Sequence, residues 1–381
     1  MSGLYGSRGL EIVEGRGAVV RDSTGKSYVD FLCGNGSALF GHTHPVLVEA
    51  AQKALLSPWT ISPSLISSSR DGLRKVLSEL LPEGRVFLCN SGTEAIEAAL
   101  KLALSFRPGR KKIVALRRAF HGRTLGALAL TFNPQYRRAW GDFLLPVQHV
   151  ALDDAPQAID EETAAVFLEP VQGEGGVYPL DEAAGSAITK ACRAAGALLV
   201  TDEIQSGWGR CGSVLAGSRI GLEPDIVALA KGLAGGLPVG ATIWKGELGD
   251  FPPKGHGSTY GGNPVVASVA LASWNLLHTE RYPESALENG DFFASLIKDL
   301  KSPLIREIRH RGLLFGVELT VRADLVVKGL QGQGVLALNA GPQVVRFLPP
   351  FTAEREHFCT VAKTLGEVLA GLKNLRENAA D

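Results

Sequence analysis

Six short apolar runs dominate the middle of the chain: VFLC at 86–89, KIVAL at 112–116, AAVFLE at 164–169, ALLVTDE at 197–203, DIVALAK at 225–231 and PVGATIW at 238–244. Stretches long enough for helices separate them. A strand that is apolar on both faces must be covered on both, so these runs predict a mostly parallel sheet between two layers of helices. In such open α/β sheets, ligands lie beyond the carboxyl ends of the strands. The residues at which the apolar runs stop are therefore the first candidates for chemistry.

The flanking segments have a different texture. GRGAVVRDSTGKSYVDFLCG reads as an antiparallel hairpin around DSTGK, and helical patterning follows in PVLVEAAQKALL and SLISSSRDGLRKVLSEL. Towards the other end, DFFASLIKDLKSPLIREIRHRG reads as helical, LLFGVELT and VVRFLPP as strands, and TAEREHFCTVAKTLGEVLAGLKNL as a closing amphipathic helix. The expected organisation is a large α/β domain over 61–275 and a small α+β domain assembled from 1–60 and 276–381.

Composition excludes several classes. The chain has 381 residues, 45% of them hydrophobic, which is enough for a large core. Lys plus Arg and Asp plus Glu both number 39, so no overall field attracts nucleic acid or an anionic membrane, and neither partner is expected. The five cysteines are widely separated without a CxxC pair, which argues against a disulfide framework or structural zinc. GHTHP at 41–45 lacks companion ligand spacing, so no metal is expected. The first residues carry no apolar targeting stretch, and a cytoplasmic location is expected. No GxGxxG or GxxxxGK[ST] pattern supports a dinucleotide or P-loop site.

Four features stand at strand ends. Ser91, Gly92 and Thr93 open a helix after VFLC, where free N–H groups and a positive dipole end suit a phosphate; an ordinary N-cap is the plainer alternative. Asp202 ends its run as a cap residue or as a carboxylate aimed at a ligand. Lys231 is a snorkelling strand-end lysine or a desolvated nucleophile. FHGRT at 120–124 brings together the ring of Phe120, the imidazole of His121 and the guanidinium of Arg123. Together, a phosphate turn, a carboxylate, a lysine and an aromatic are what a pyridoxal phosphate site requires.

The stretches YVDFLCGNGSALFGHTHP (28–45), NSGTEAIEAALKLA (90–103), FHGRTLGAL (120–128), FLEPVQGEGG (167–176), LLVTDEIQSGWGR (198–210), ALAKGLAGGLPVGA (228–241), HGSTYGGNP (256–264) and VVRFLPP (344–350) resemble class III pyridoxal-phosphate aminotransferases of fold type I. Within that class they are similar to the acetylornithine aminotransferase group. The resemblance implies that Lys231 carries the cofactor, Asp202 meets its ring nitrogen and Gln205 lies near the 3′-oxygen. It implies phosphate contacts from Gly92 and Thr93, ring stacking by Phe120, and a phosphate contact from Thr259 of a neighbouring subunit in a homodimer or larger oligomer. Glu169 resembles the carboxylate near Gln205 on the substrate side. Arg346 resembles the clamp for the α-carboxylate of glutamate, and Arg123 the residue for the distal carboxylate.

Asn35 stands where ornithine-type relatives place a tyrosine, which argues against free ornithine as substrate. The expected donors are N-acetylornithine or a lysine or ornithine linked to a small acidic carrier protein, with 2-oxoglutarate as acceptor. RRAFHGR, Arg137 and Arg138 could supply the basic mouth that such a carrier needs. Ornithine or 4-aminobutyrate aminotransferase and glutamate-1-semialdehyde aminomutase are the other class III readings.

Overall fold

The computed structural model describes residues 6–377; residues 1–5 and 378–381, the outer ends of the two terminal segments, lie outside it. Seven strands form the central sheet: β1 Arg85–Cys89, β2 Lys112–Leu116, β3 Gln148–Val150, β4 Thr163–Leu168, β5 Leu198–Asp202, β6 Ile226–Leu229 and β7 Gly240–Trp244. Their spatial order is β1-β7-β6-β5-β4-β2-β3. All pairings are parallel except those of β7, which runs antiparallel to both β6 and β1.

Every residue of β4, β5, β6 and β7 is buried, which is why these strands read as unbroken apolar runs. Helix α1, Gly92–Phe106, places Ile96, Ala99, Leu100 and Ala103 against Ile113, Phe167, Val200 and Ala228 on one face. Helix α2, Glu182–Ala195, places Ile188 and Cys192 against Val114, Val166 and Leu199 on the other. Asp181 caps α2 through the Ala184 N–H, and Gly196 ends it in the left-handed conformation, as an N-cap and a C-cap should.

The first and last parts of the chain share a sheet. Strands Ile12–Arg16, Val19–Asp22 and Ser27–Asp30 form a meander whose edge pairs in parallel with Val335–Leu336. A second four-stranded sheet runs in the order Ile305–Arg311, Leu314–Leu319, Val344–Phe347, Leu338–Asn339. Phe31, Phe293, Phe347 and Phe358 join these units in one aromatic cluster.

Two elements differ from the sequence reading. The helix over Tyr282–Asp299 does not continue through IREIRHR; that segment is a strand paired antiparallel with the almost wholly buried Leu314–Leu319. Lys301 adopts a positive φ and Pro303 follows, which ends the helix. Strand β3 and helix Ala323–Gly332 had no counterpart in the expected elements. Among the described residues, no helix is long and apolar enough to cross a membrane.

Candidate active site

Three neighbouring strands end side by side. Thr201 of β5 is level with Leu168 of β4, and Asp202 is level with Ala228 of β6, so Glu169, Asp202 and Lys231 emerge at one edge of the sheet. The end of β1 meets the start of the antiparallel β7 through Cys89 and Gly240, which brings the Ser91–Thr93 turn to the same edge. Ser91, Gly92, Thr93, Phe120, His121, Arg123, Glu169, Asp202, Gln205 and Lys231 all line one cavity of about 360 Å³.

Each side chain is held by its surroundings. Ser91 is the N-cap of α1, with its hydroxyl accepting from the Glu94 N–H at 3.3 Å. The N–H groups of Gly92 and Thr93, at the first turn of α1, have no intrahelical acceptor and adjoin the cavity. A Cβ on Gly92 would stand 2.8 Å from Ile204 Cδ1, so glycine is what lets this turn close over the cavity wall. Thr93 Oγ1 accepts from the N–H groups of Arg123 and Thr124, tying the FHGRT turn to the start of α1.

Asp202 is buried and uses both oxygens. Oδ1 accepts from the Ile204 N–H at 3.0 Å, and Oδ2 is hydrogen-bonded to His121 Nδ1 at 2.8 Å. His121 in turn has a buried Nε2 without a partner. Glu169 Oε1 accepts from the Phe120 N–H at 2.8 Å; burial first, then the charge of Asp202, raises its pKa well above the usual carboxylate value. Burial lowers the Lys231 pKa to about 8, against the opposing pull of Glu174, Asp202 and Glu169. Lys231 also has φ +44, a conformation that non-glycine residues hold only under constraint.

Arg346 is buried behind the cavity. Its Nη1 donates to Gln205 Oε1 at 3.2 Å and its Nη2 to Glu174 Oε1 at 2.7 Å. Burial raises the Glu174 pKa, but Arg346 and Lys231 outweigh it and the net shift is downward, so Glu174 is a carboxylate. Glu174 and Ile204 also line the cavity, and neither was singled out in the sequence. For Glu174 the available signal was a charge set among the small residues of GEGG.

Two expected residues lie elsewhere within the single chain. Asn35 is exposed and does not line the cavity: Gly34 and Asn35 both turn left-handed, with φ 56 and 57, and Ser37 reaches the cavity instead. Thr259 is exposed and also outside the cavity. Arg137 faces a separate hollow with Lys111 and Lys112, whereas Arg118 lines a second cavity adjoining the first.

The arrangement fits pyridoxal phosphate. The Gln205 Nε2 is a buried donor without a partner, beside an Asp202 carboxylate that a ring nitrogen could meet. The start of α1 offers N–H donors and a positive dipole end for a phosphate. Phe120 and Ile204 supply apolar walls, and Lys231 supplies an amine that is readily neutral.

Comparison with known proteins gives the family. The family model for class-III aminotransferases matches residues 5–369. The chain is 39% identical to a LysW-aminoadipate semialdehyde transaminase of Deinococcus radiodurans, over 100% of this chain and 90% of the relative. It is 37% identical to an acetylornithine aminotransferase of Bacillus subtilis, over 96% of each. The crystal structure of an ornithine aminotransferase from Toxoplasma gondii superposes with a TM-score of 0.93 at 29% identity, covering 98% of this chain and 93% of that one. The chain belongs to the class III aminotransferases and is a pyridoxal-phosphate-dependent enzyme of that family.

Proposed function

We propose that the enzyme moves the terminal amino group of an N-acylated or carrier-linked lysine or ornithine to 2-oxoglutarate, giving the semialdehyde and glutamate. The observation that carries this reading is the ion pair between Glu174, which lines the cavity, and Arg346, buried behind it. A site that accepts by turns a terminal amine, with no carboxylate beside the reacting carbon, and glutamate, with one, needs an arginine that can be masked. Glu174 is the mask. When glutamate enters, its α-carboxylate takes the place of Glu174 on Arg346. Arg123, stacked 3.6 Å over the Tyr136 ring without an ion-pair partner among the described residues, takes the distal carboxylate.

Pyridoxal phosphate, when bound, supplies an electron sink for the carbon that loses its proton. The Lys231 amine removes and returns the proton at the carbon bearing the transferred nitrogen, for which a pKa of about 8 is well placed. Asp202, fixed by His121 and the Ile204 N–H, would keep a proton at the ring nitrogen. Gln205, with its unpartnered Nε2, would donate to the 3′-oxygen, and the Ser91–Thr93 turn would hold the phosphate. Glu169 sets the orientation of Phe120 through its N–H.

The cavity lining includes no tyrosine among the described residues, and the adjoining cavity leaves room for a substituent on the donor's α-amine. The names of the two enzymes from Deinococcus radiodurans and Bacillus subtilis describe substrates carrying such a substituent, LysW in one and acetyl in the other. The active unit is at least a dimer, in which Thr259 reaches the partner's phosphate. The exposed Leu56, Trp59, Leu65 and Ile66 give the chain an apolar face to bury.

The test is kcat/KM for free ornithine, acetylornithine, acetyllysine and carrier-linked lysine, read as glutamate formed at several salt concentrations. Blocked donors are expected to exceed free ornithine by at least about tenfold, the loss from an unsuited polar end of roughly 1–3 kcal/mol. The carrier-linked donor should lose its advantage as salt rises. A preference for free ornithine would overturn the reading, and a salt-independent preference for acetylornithine would remove the carrier from it.

A further inference from the structure

A second cavity, of about 590 Å³, lies beyond the first and is lined by Arg118, Gln135, Tyr136, Asn339 and Pro342. The two cavities share Phe120 and Glu174 as lining residues, so a donor too long for the inner one extends into the outer one past these side chains.

Arg118 is built into this outer cavity. Its φ of +68 is left-handed, a conformation that a long side chain adopts only where the surroundings impose it. Gly175 packs against that turn: a Cβ there would stand 2.5 Å from the Arg118 carbonyl oxygen. The Arg118 guanidinium lies 4.2 Å from the Tyr178 ring, which also carries Arg309 at 4.0 Å. The two arginines differ in their electrostatics. Arg309 is paired with Glu307 and Glu318, whereas Arg118 is exposed and has no acidic partner among the described residues. Stacking fixes the plane of the Arg118 guanidinium and leaves its edge N–H donors free, which is the geometry for a two-point carboxylate contact.

Charge counting narrows the ligand. Glutamate has two carboxylates, and Arg346 and Arg123 account for both. Arg118 is a third guanidinium, set farther out, and serves a substrate with a carboxylate where glutamate has none. An acetyl group on the donor's α-amine offers no such group. A substituent with a carboxylate of its own does; a γ-glutamyl group is one, its α-carboxylate staying free two methylenes and the Cα away from the amide.

We propose that Arg118 is a specificity-determining residue that binds the free carboxylate of a γ-glutamyl substituent on the donor. The inference rests on the donor being an α-blocked lysine or ornithine. With the donor's own carboxylate on Arg123 and the glutamyl carboxylate on Arg118, the chain of the donor spans both cavities and delivers its terminal amine to Lys231.

The test uses the holoenzyme and two unreactive probes that lack the terminal amine, Nα-(γ-glutamyl)norleucine and Nα-acetylnorleucine, with Kd read by calorimetry. The wild type should bind the γ-glutamyl probe more tightly. Arg118→Gln should weaken that probe by roughly 10- to 100-fold, the loss of a charged hydrogen-bonded pair, and leave the acetyl probe within about twofold. Arg118→Lys should fall between, keeping the charge without the fork. Equal weakening of both probes would mean a structural role and overturn the proposal, as would unchanged affinity for the γ-glutamyl probe or equal affinities in the wild type. Turnover of free ornithine in preference to blocked lysines by the wild type would overturn the reading of the donor instead, and the probe affinities would still decide the role of Arg118.

Discussion

At Lys231 the forces on one amine can be separated. Burial removes water from the ammonium and, with the like charge of Arg346, lowers its pKa to about 8, while Glu174, Asp202 and Glu169 act in the opposite direction. In the cofactor-free protein, trinitrophenylation of Lys231 by trinitrobenzenesulfonate, a reagent whose own charge does not change in this range, should therefore reach half its maximal rate near pH 8, with the amine protected below that and reactive above it. Peptide mapping by mass spectrometry reads this lysine by lysine. Glu174→Gln removes one of the charges that favour the ammonium and should move the midpoint downward. It also unmasks Arg346, so KM for glutamate should fall, and kcat/KM for terminal-amine donors should drop by roughly tenfold, the worth of a charged hydrogen bond. An unchanged midpoint together with an unchanged KM would show that Glu174 neither faces the amine nor masks the arginine.

The ends of the strands show how elements carry this chemistry. Asp202 and Glu203 are consecutive, yet they do different work. Asp202 lines the cavity, while Glu203 is buried beside it, accepting from the Ala216 and Gly217 N–H groups and from the Ser206 hydroxyl, and so fastens the end of β5 to the turn that follows. Burial outweighs these bonds and raises the Glu203 pKa to about 7. The folded value lies above the ordinary 4.5, so the folded state binds this proton more tightly than the unfolded chain does. Its contribution to stability is full below about pH 4.5 and is lost as pH rises through about 7. Glu203→Gln should lower Tm, because an amide cannot accept three donors, and should flatten the fall of Tm across that window. An unaltered slope would place the titration elsewhere.

The same elements explain what the sequence made legible. β4, β5 and β6 were readable because every position is buried, and Asp202 and Lys231 stood out as polar residues where two of those runs stop, whereas Glu169 was reached only through the family resemblance. β3 was not readable, since two of its three residues are polar at the sheet edge. Ile305 and Ile308 stand three apart, which mimics a helix; a register shift between Ile305 and Glu307 is what lets that spacing sit in a strand. Glu174 escaped notice because its meaning depends on Arg346, distant in sequence and brought to it only by the fold.

At the scale of the whole molecule, Thr259, proposed to serve a neighbour's site, would make the assembly part of the active site. Lys231→Ala and Thr259→Val chains, unfolded and refolded together, should then form hybrids that recover activity exceeding the sum of the two variants refolded apart. In a hybrid dimer, one site carries both defects and the other carries neither. No recovery, with dimers confirmed by sedimentation, would show that each chain builds its site alone.

The account as a whole turns on which nitrogen moves and where it goes. The direct measurement is the fate of the label when Nα-acetyllysine carrying ¹⁵N at its terminal amine is incubated with the holoenzyme and 2-oxoglutarate. The account predicts that ¹⁵N appears in glutamate in step with formation of the semialdehyde, and that labelled glutamate forms only when 2-oxoglutarate is present. Retention of ¹⁵N on the lysine skeleton, or semialdehyde formed without labelled glutamate, would contradict it.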